Sequence, residues 1–213
     1  MSKITLFTSG STDEPKVVTH TWDYIDRCAH KSITEIGLTK DDIVLDVFPA
    51  NTIAHYTITA VPAFLSGAQY VSTNFSAYTY PELISRFKPT YIALIPRHLE
   101  LLLNSKGFKD LDMSSVKYMV TGSSKIEQSF IDEFKNRGVK TVANWYGMTE
   151  CPPPVMIGYD TPHFTVIDKS VSFTEEGECI IDGFHTGDIF DVETKTFLRR
   201  KNNEQRSTWK NKF

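Results

Sequence analysis

Along the first two thirds of the chain, short β-branched or apolar runs alternate with stretches whose apolar residues recur at helical spacing. Lys3–Thr8 predicts a strand, and a loop rich in Ser, Thr and Gly follows it. From Trp22 to Ile36 the residues Trp22, Tyr24, Ile25, Ala29, Ile33 and Ile36 share one face of a predicted helix, with Thr21 and Asp23 placed for capping. Residues 43–48 read as a strand, 53–65 as an apolar helix closed by Ser66-Gly67, and 69–73 as a short strand. The rhythm then repeats: helices are predicted at 80–87, 97–104 and 128–137, and strands at 91–95, 116–121 and 141–145. Strands alternating with helices of this size predict an α/β fold, a mostly parallel sheet with flanking helices. After Pro152-Pro153-Pro154 the segments become short, β-rich and turn-broken, so a small β subdomain is expected over 155–198. It would follow an α/β core over 1–154 and precede a polar, basic tail over 199–213 with little to bury.

In an open parallel sheet, ligands bind at the carboxyl ends of the strands, and three loops in such positions carry chemistry. The first is Thr8-Ser9-Gly10-Ser11-Thr12-Asp13-Glu14-Pro15-Lys16. Its hydroxyls, glycine and backbone N–H groups can cradle anionic oxygens, and Lys16 adds a positive charge. A plain polar turn would use the same residue types, and the spacing is not that of a Walker P-loop. The second is Asn144-Trp145-Tyr146-Gly147-Met148-Thr149-Glu150, in which an aromatic ring, a hydroxyl and a carboxylate follow a strand. Its bland alternative is a strand end with a buried aromatic. The third, His185-Thr186-Gly187-Asp188-Ile189, is a weak signal alone, since Gly-Asp turns are common.

In this order, the three loops resemble the signatures of the adenylate-forming enzyme superfamily, the group that includes the acyl-CoA synthetases. The first resembles Thr-Ser-Gly-Ser-Thr-Gly-x-Pro-Lys, with Asp13 in place of the glycine; the second matches Tyr-Gly-x-Thr-Glu; the third matches Thr-Gly-Asp. Gly122-Ser123-Ser124 before a helix resembles the small-residue turn that lies against adenine and the acyl group, and Glu176-Gly177-Glu178 resembles a Gly-Glu hairpin. Phe197-Leu198-Arg199-Arg200-Lys201-Asn202-Asn203 resembles the hinge Gly-Arg-x-x-Asp, with Arg199 for its glycine and Asn203 for its aspartate. A solvated basic tail fits that segment equally well.

The resemblance implies roles. Thr8, Ser9, Gly10, Ser11, Thr12 and Lys16 would hold the phosphates of ATP or AMP, while Gly122, Ser123, Ser124, Tyr146 and Gly147 would hold adenine. Asp188 and Arg200 would bind the ribose, Thr149 a phosphate and Glu150 the metal Mg²⁺, with Thr149 and Glu150 carrying catalysis. His55 reads better as a satisfied core or surface histidine than as part of an acyl pocket, and Tyr56, Phe64 and Tyr70 as core. Family members also carry a segment before the phosphate loop and a C-terminal domain whose lysine bridges the carboxylate and the α-phosphate. No lysine of this chain matches that one. The expectation is therefore an adenylate-forming core that activates a carboxylic acid slowly or with a partner. Its alternative is a non-catalytic module binding nucleotide or acyl-adenylate.

Composition narrows the partners. With 40% hydrophobic and 23% charged residues the 213-residue chain can bury a core, and its net charge of −3 gives no basic surface for nucleic acid or an anionic membrane. The three cysteines, Cys28, Cys151 and Cys179, are scattered and show no metal-ligand spacing, which predicts reduced thiols in a cytoplasmic protein. No run is apolar enough for a signal peptide or a membrane helix, and a Met just before a strand reads as a deliberate start. The expected partners are a small carboxylic acid and either a second copy in a homodimer or a chain supplying the missing domains.

Overall fold

The computed structural model of the chain describes residues 2–8 and 16–201. Ser9, Gly10, Ser11 and Thr12 of the expected phosphate cradle lie outside these residues, as do Asp13 and positions 202–213 of the expected tail.

β1 (Lys3–Thr8) pairs antiparallel with β2 (Lys16–Thr21), with Thr8 opposite Lys16. Alternation turns Ile4 and Leu6 inward and leaves Phe7 and Val17 exposed. β2 is a strand the sequence reading did not foresee. α1 (Trp22–Ile36) matches its expected span; Thr21 Oγ1 accepts from Tyr24 N at 3.3 Å, and Gly37 closes the helix in the left-handed region.

β3 (Ile43–Asp46) leads into the apolar helix expected over 53–65, but its first half, His55–Ala60, is π-helical before it continues as α2 (Val61–Ser66). Pro62 explains the change of pitch, because it has no N–H to give to the carbonyl four residues back. That carbonyl, Ile58 O, accepts instead from Tyr91 Oη at 2.9 Å, while Ser32 Oγ donates to Thr57 O at 2.6 Å.

β4 (Gln69–Ser72), α3 (Tyr80–Phe87), β5 (Tyr91–Ala93), α4 (Pro96–Leu103), β6 (Tyr118–Gly122), α5 (Gln128–Asn136) and β7 (Thr141–Tyr146) follow in the expected order. β8 (Met156–Tyr159) and β9 (Thr165–Val166) then extend the same sheet. The seven strands are ordered β4-β3-β5-β6-β7-β8-β9, parallel from β4 to β7 and antiparallel beyond. A second, four-stranded antiparallel sheet contains β10 (Val171–Phe173), β11 (Glu178–Ile181), β12 (Phe184–Asp191) and β13 (Thr196–Arg200) in sequential order.

Each face of the large sheet carries a core. Leu45, Ile92, Met119 and Val142 face Ile84, Leu99, Leu102, Ile131 and Phe134 from α3, α4 and α5. Their strand neighbours Val44, Tyr91, Val120 and Ala143 face Ile36, Ile58 and Ala63 on the other side. This is a helix–sheet–helix sandwich, in which parallel strands are buried on both faces. A third cluster, including Tyr146, Met156, Phe164, Cys179, Ile181 and Phe190, joins the two sheets. Phe64 and Tyr70, expected in the core, are 84% and 39% exposed. Tyr70 sits on edge strand β4, which has a neighbour on one side only, and Phe64 is on the outer side of α2. Among the described residues no helix is long and apolar enough to cross a membrane.

Phe134 is fully buried with its ring centroid 5.2 Å from that of Phe108. Phe134→Ala should lower unfolding stability by about 3–5 kcal/mol, read as a shift in the guanidinium midpoint; a change within error would show that the α5 face collapses around the gap.

Candidate functional site

The parallel strands all point their carboxyl ends to one edge, and the site lies where β6 and β7 finish. Gly122 ends β6 beside β7, paired with Trp145. A Cβ on Gly122 would come within 2.3 Å of Trp145 O, and one on Gly147 within 2.5 Å of Pro153 N. Only glycine allows these backbones to meet so closely. Ser123 follows with φ of 74°, in the left-handed region a serine rarely takes. Strained backbone of this kind gathers at sites that bind.

A cavity of about 270 Å³ opens there. Its wall is formed by Gly122, Ser123, Ser124, Tyr146 and Gly147 from the large sheet and by Asp188 and Arg200 from the small one. The structure thus brings together seven of the sequence-predicted residues from four separate motifs. Asn144, Trp145, Phe164 and Phe197 complete the wall, and sequence reasoning assigned none of these four a role. Asn144 and Trp145 lie inside the motif that was recognised, so their proximity was available. Phe197 opens the hinge-like segment, where nothing marks it as a wall residue, and Phe164 carries no local signal.

Asp188 is the electrostatic centre. It is 1% exposed, and its carboxylate accepts from Arg200 Nε at 2.5 Å, Arg200 Nη2 at 2.8 Å and Tyr146 Oη at 2.8 Å. The two-pronged Arg200 contact is the strong, planar form of an ion pair. Hydrogen bonding to Asp188 raises the Arg200 pKa further above its already high value. Burial, together with the Asp188 charge, pushes the Tyr146 hydroxyl far above its usual range, so it stays a donor. Below Asp188, buried Glu178 accepts from Gly187 N at 3.1 Å and from Lys201 Nζ at 2.8 Å, fixing the turn that presents Asp188. Burial works to raise the Glu178 carboxyl, but Lys201, His185 and Gly187 N–H together hold it below the usual range. Thr186 Oγ1 accepts from Asp188 N at 3.1 Å and donates to Cys179 O at 2.8 Å.

Among the described residues, two buried polar atoms on residues of the cavity wall have no protein partner: Asn144 Oδ1 and Trp145 Nε1. Unmade hydrogen bonds of buried groups are costly, and a ligand that completes them would recover that cost.

Thr149, Glu150 and Lys16 do not line this cavity. Glu150 borders a neighbouring cleft of about 560 Å³ between α1 and the tip of the β11–β12 hairpin, with Arg27, Lys31, Asp168 and Asp182 along it. Cys28 and Cys151 also line that cleft, and burial pushes both thiols up to about 11, so they are neutral at physiological pH. Lys16 lies on the inward-turned row of β2 with Val18 and His20. His20, which the sequence gave no reason to single out, places Nε2 2.7 Å from Thr149 O. His55 is satisfied as expected: its Nδ1 lies 2.8 Å from the fully buried carboxylate of Asp46, which also accepts from Tyr70 Oη at 2.6 Å. Among the described residues no group of three His, Cys, Asp or Glu side chains could hold a metal ion.

Comparison with known proteins identifies the family and the fold. Residues 4–175 match the family model described as AMP-binding enzyme. Over 148 residues, 68% of this chain and 29% of the relative, the sequence is 30% identical to an indoleacetate–CoA ligase of Aromatoleum aromaticum. Over 149 residues, 68% of this chain and 28% of the relative, it is 30% identical to a crotonobetaine/carnitine–CoA ligase of Proteus mirabilis. The chain thus spans under a third of the length of these relatives. In fold it is similar to the N-terminal domain of FACL13 from Mycobacterium tuberculosis, with TM-score 0.75 and 19% identity, covering 93% of this chain and 59% of that one. It is also similar to the O-succinylbenzoate coenzyme A synthetase MenE of Bacillus subtilis, solved in complex with ATP and magnesium ion, with TM-score 0.76 and 20% identity, covering 92% of this chain and 49% of that one.

The cleft beside the cavity offers a pH test. Lys31 Nζ lies 2.5 Å from Asp168 Oδ2; burial works to raise the Asp168 carboxyl, but Lys31 and the Ser170 N–H and hydroxyl outweigh it and bring the pKa down to about 2. An unfolded aspartate titrates near ~3.9. The contact therefore adds stability that is complete above about pH 4 and is lost as pH falls through about 2. Lys31→Met should flatten the drop in urea midpoint between about pH 5 and about pH 3; an equal drop in both proteins would show that the pair contributes nothing.

Proposed function

Because the chain belongs to the AMP-binding enzyme family, we propose that it holds AMP or ATP in the cavity at the ends of β6 and β7 and activates a small carboxylic acid to its acyl-adenylate. The observation that carries this reading is the convergence of Gly122, Ser123 and Ser124, Tyr146 and Gly147, and Asp188 and Arg200 on one cavity. At about 270 Å³ it is near the lower end of small-ligand sites, roughly 300–1,000 Å³.

In this reading adenine lies against the flat backbone surface of Gly122 and Ser123, with Tyr146 beside it. The unpartnered Asn144 Oδ1 suits the exocyclic amino group. Asp188 serves the ribose: an ionised carboxylate has about four acceptor positions, and Arg200 and Tyr146 use three. One remains for a ribose hydroxyl. Thr149, Glu150 and Lys16, with Thr8, Ser9, Gly10, Ser11 and Thr12, then serve the phosphates. Glu150 supplies one carboxylate, which suits the habit of Mg²⁺ of taking one or two carboxylates and completing its shell with substrate phosphates and water. When bound, Mg²⁺ would neutralise charge on the phosphates.

The chemistry is displacement at phosphorus. A carboxylate oxygen of the acid bonds to the α-phosphorus of ATP, the bond to the β-phosphate oxygen breaks, and pyrophosphate leaves with the electron pair. Residues of the site bind, orient and offset charge, as in phosphoryl transfer generally. The relatives, both CoA ligases, support an acid as substrate and a thiol as final acceptor. A second reading is a non-catalytic binder of nucleotide or acyl-adenylate. It is favoured by the position of Glu150, which borders the neighbouring cleft and not the cavity.

Titration calorimetry of the chain with AMP should give saturable micromolar binding that Asp188→Asn weakens at least tenfold while the far-ultraviolet dichroism stays native. Absence of binding to the native chain would overturn the nucleotide reading. A panel of acids with ATP and Mg²⁺ separates the two readings, since acid-dependent pyrophosphate release supports the ligase and its absence alongside AMP binding supports the binder.

A further inference from the structure

The β1–β2 hairpin forms a sheet of its own. It is joined to the body by a small apolar cluster, Ile4 and Leu6 against Ile25 and Ile53, and by Trp22 N donating to Ser2 O at 3.2 Å at its base. Among the described residues, the hydrogen bond that ties the hairpin to the loop after β7 is from His20 Nε2 to Thr149 O, at 2.7 Å. His20 is part-buried and its ring is 5.3 Å from that of Tyr24.

Thr149 O can only accept, so Nε2 carries the proton, and both the neutral Nε2–H tautomer and the imidazolium make this bond. The contact therefore survives protonation of the ring and is a fastener, not a pH switch. Its placement follows from strand geometry. Lys16, Val18 and His20 alternate onto the same inward row of β2, and Lys16 stands about 13 Å up the strand from His20 at ~3.3 Å per residue. At the other end of the bond, Thr149 O belongs to the residue before Glu150. Among the described residues, this hydrogen bond is the polar side-chain link between two segments: the strand carrying Lys16 and the turn carrying Thr149 and Glu150.

We propose that His20 is a positioning residue for the phosphate end of the nucleotide: by holding the Thr149 carbonyl it sets Lys16 in fixed register with Thr149 and Glu150. This rests on the nucleotide reading above and goes beyond it, because His20 belongs to none of the recognised motifs and lines neither the cavity nor the cleft. The nucleoside end needs no such fastener, since Gly122, Tyr146, Asp188 and Arg200 of its wall stand on β6, β7, β12 and β13, which are paired strands.

The proposal separates two ligands. AMP, held mainly by the cavity, should be indifferent to His20, whereas ATP with Mg²⁺ also needs the phosphate end. His20→Phe keeps a ring against Tyr24 and removes the donor. His20→Gln keeps a donor at nearly the reach of Nε2. With titration calorimetry, His20→Phe should bind AMP within about twofold of the native chain and bind MgATP about tenfold more weakly, the loss expected for one good hydrogen bond. His20→Gln should restore MgATP affinity. AMP binding in the same preparation guards against a misfolded variant, which a merely structural role would produce and which would lower both affinities together. If the ratio of the two affinities in His20→Phe equals that of the native chain, the inference is overturned and the nucleotide reading stands. If the native chain binds no AMP, both fall.

Discussion

The carboxylate of Asp188 is buried to 1% exposure, and a buried charge is tolerated only when paired and hydrogen-bonded. Asp188 is on β12, and its donors come from two other places in the chain: Tyr146 ends β7 and Arg200 ends β13. Meeting that one electrostatic requirement therefore fixes the large sheet against the small one. Glu178 repeats the arrangement one layer below, with Lys201 and the Gly187 N–H as its partners. The aromatic cluster around Phe190 fills the remaining space, with Tyr146, Phe173 and Phe197 rings 5.0, 5.8 and 5.5 Å away in edge-on arrangements. Edge-on geometry is the favoured one for aromatic pairs, but apolar packing alone is not directional enough to place a carboxylate. The polar contacts supply the direction.

The cavity is what this joint leaves open. β6 and β7 run in register to Gly122 and Trp145, where the missing side chain of Gly122 lets the two backbones touch and leaves a flat, shallow floor. Ser123, with its left-handed φ, then turns the chain away. Asn144 and Trp145 each carry a polar atom that the fold itself does not satisfy. A protein interior seldom leaves such atoms without partners. Both residues belong to the wall that Asp188 and Arg200 share, on adjacent positions of β7 whose side chains alternate between the two faces of the sheet.

The helices were legible in the sequence because each is amphipathic at its own period and is bounded by a cap or glycine, as at Thr21, Gly37, Gly67 and Gly138, and the parallel strands because each is a short apolar run between such elements. The features that escaped have physical reasons. β2 mixes lysine, threonine and histidine with two valines, and its strand character comes from pairing with β1, a partner no local window contains. The π-helical turn depends on Pro62 and on Tyr91, a residue from a different strand that takes up the carbonyl Pro62 cannot serve. Phe64 and Tyr70 have the composition of core residues, yet their exposure is decided by which side of α2 and which edge of the sheet they occupy. At the site, the three motifs were readable because each places chemically distinctive residues in a short run. Phe164 and Phe197 were not, since an isolated phenylalanine becomes a wall only when two sheets meet.

The two ends of the proposed nucleotide site consequently rest on unequal foundations. The nucleoside end is built from strands hydrogen-bonded into sheets of seven and four, with helices packed over both faces of the larger. The phosphate end rests on a hairpin of two strands, a unit that is marginal in isolation. It keeps its place through four buried apolar residues, Ile4, Leu6, Ile25 and Ile53, and the His20 bond to Thr149. Among the described residues these few contacts are what hold the hairpin to the body. The large sheet has no comparable freedom, because moving β7 would break the Tyr146 contact to Asp188 and with it the junction of the two sheets. Among the described residues, the hairpin is thus the more lightly anchored of the two ends.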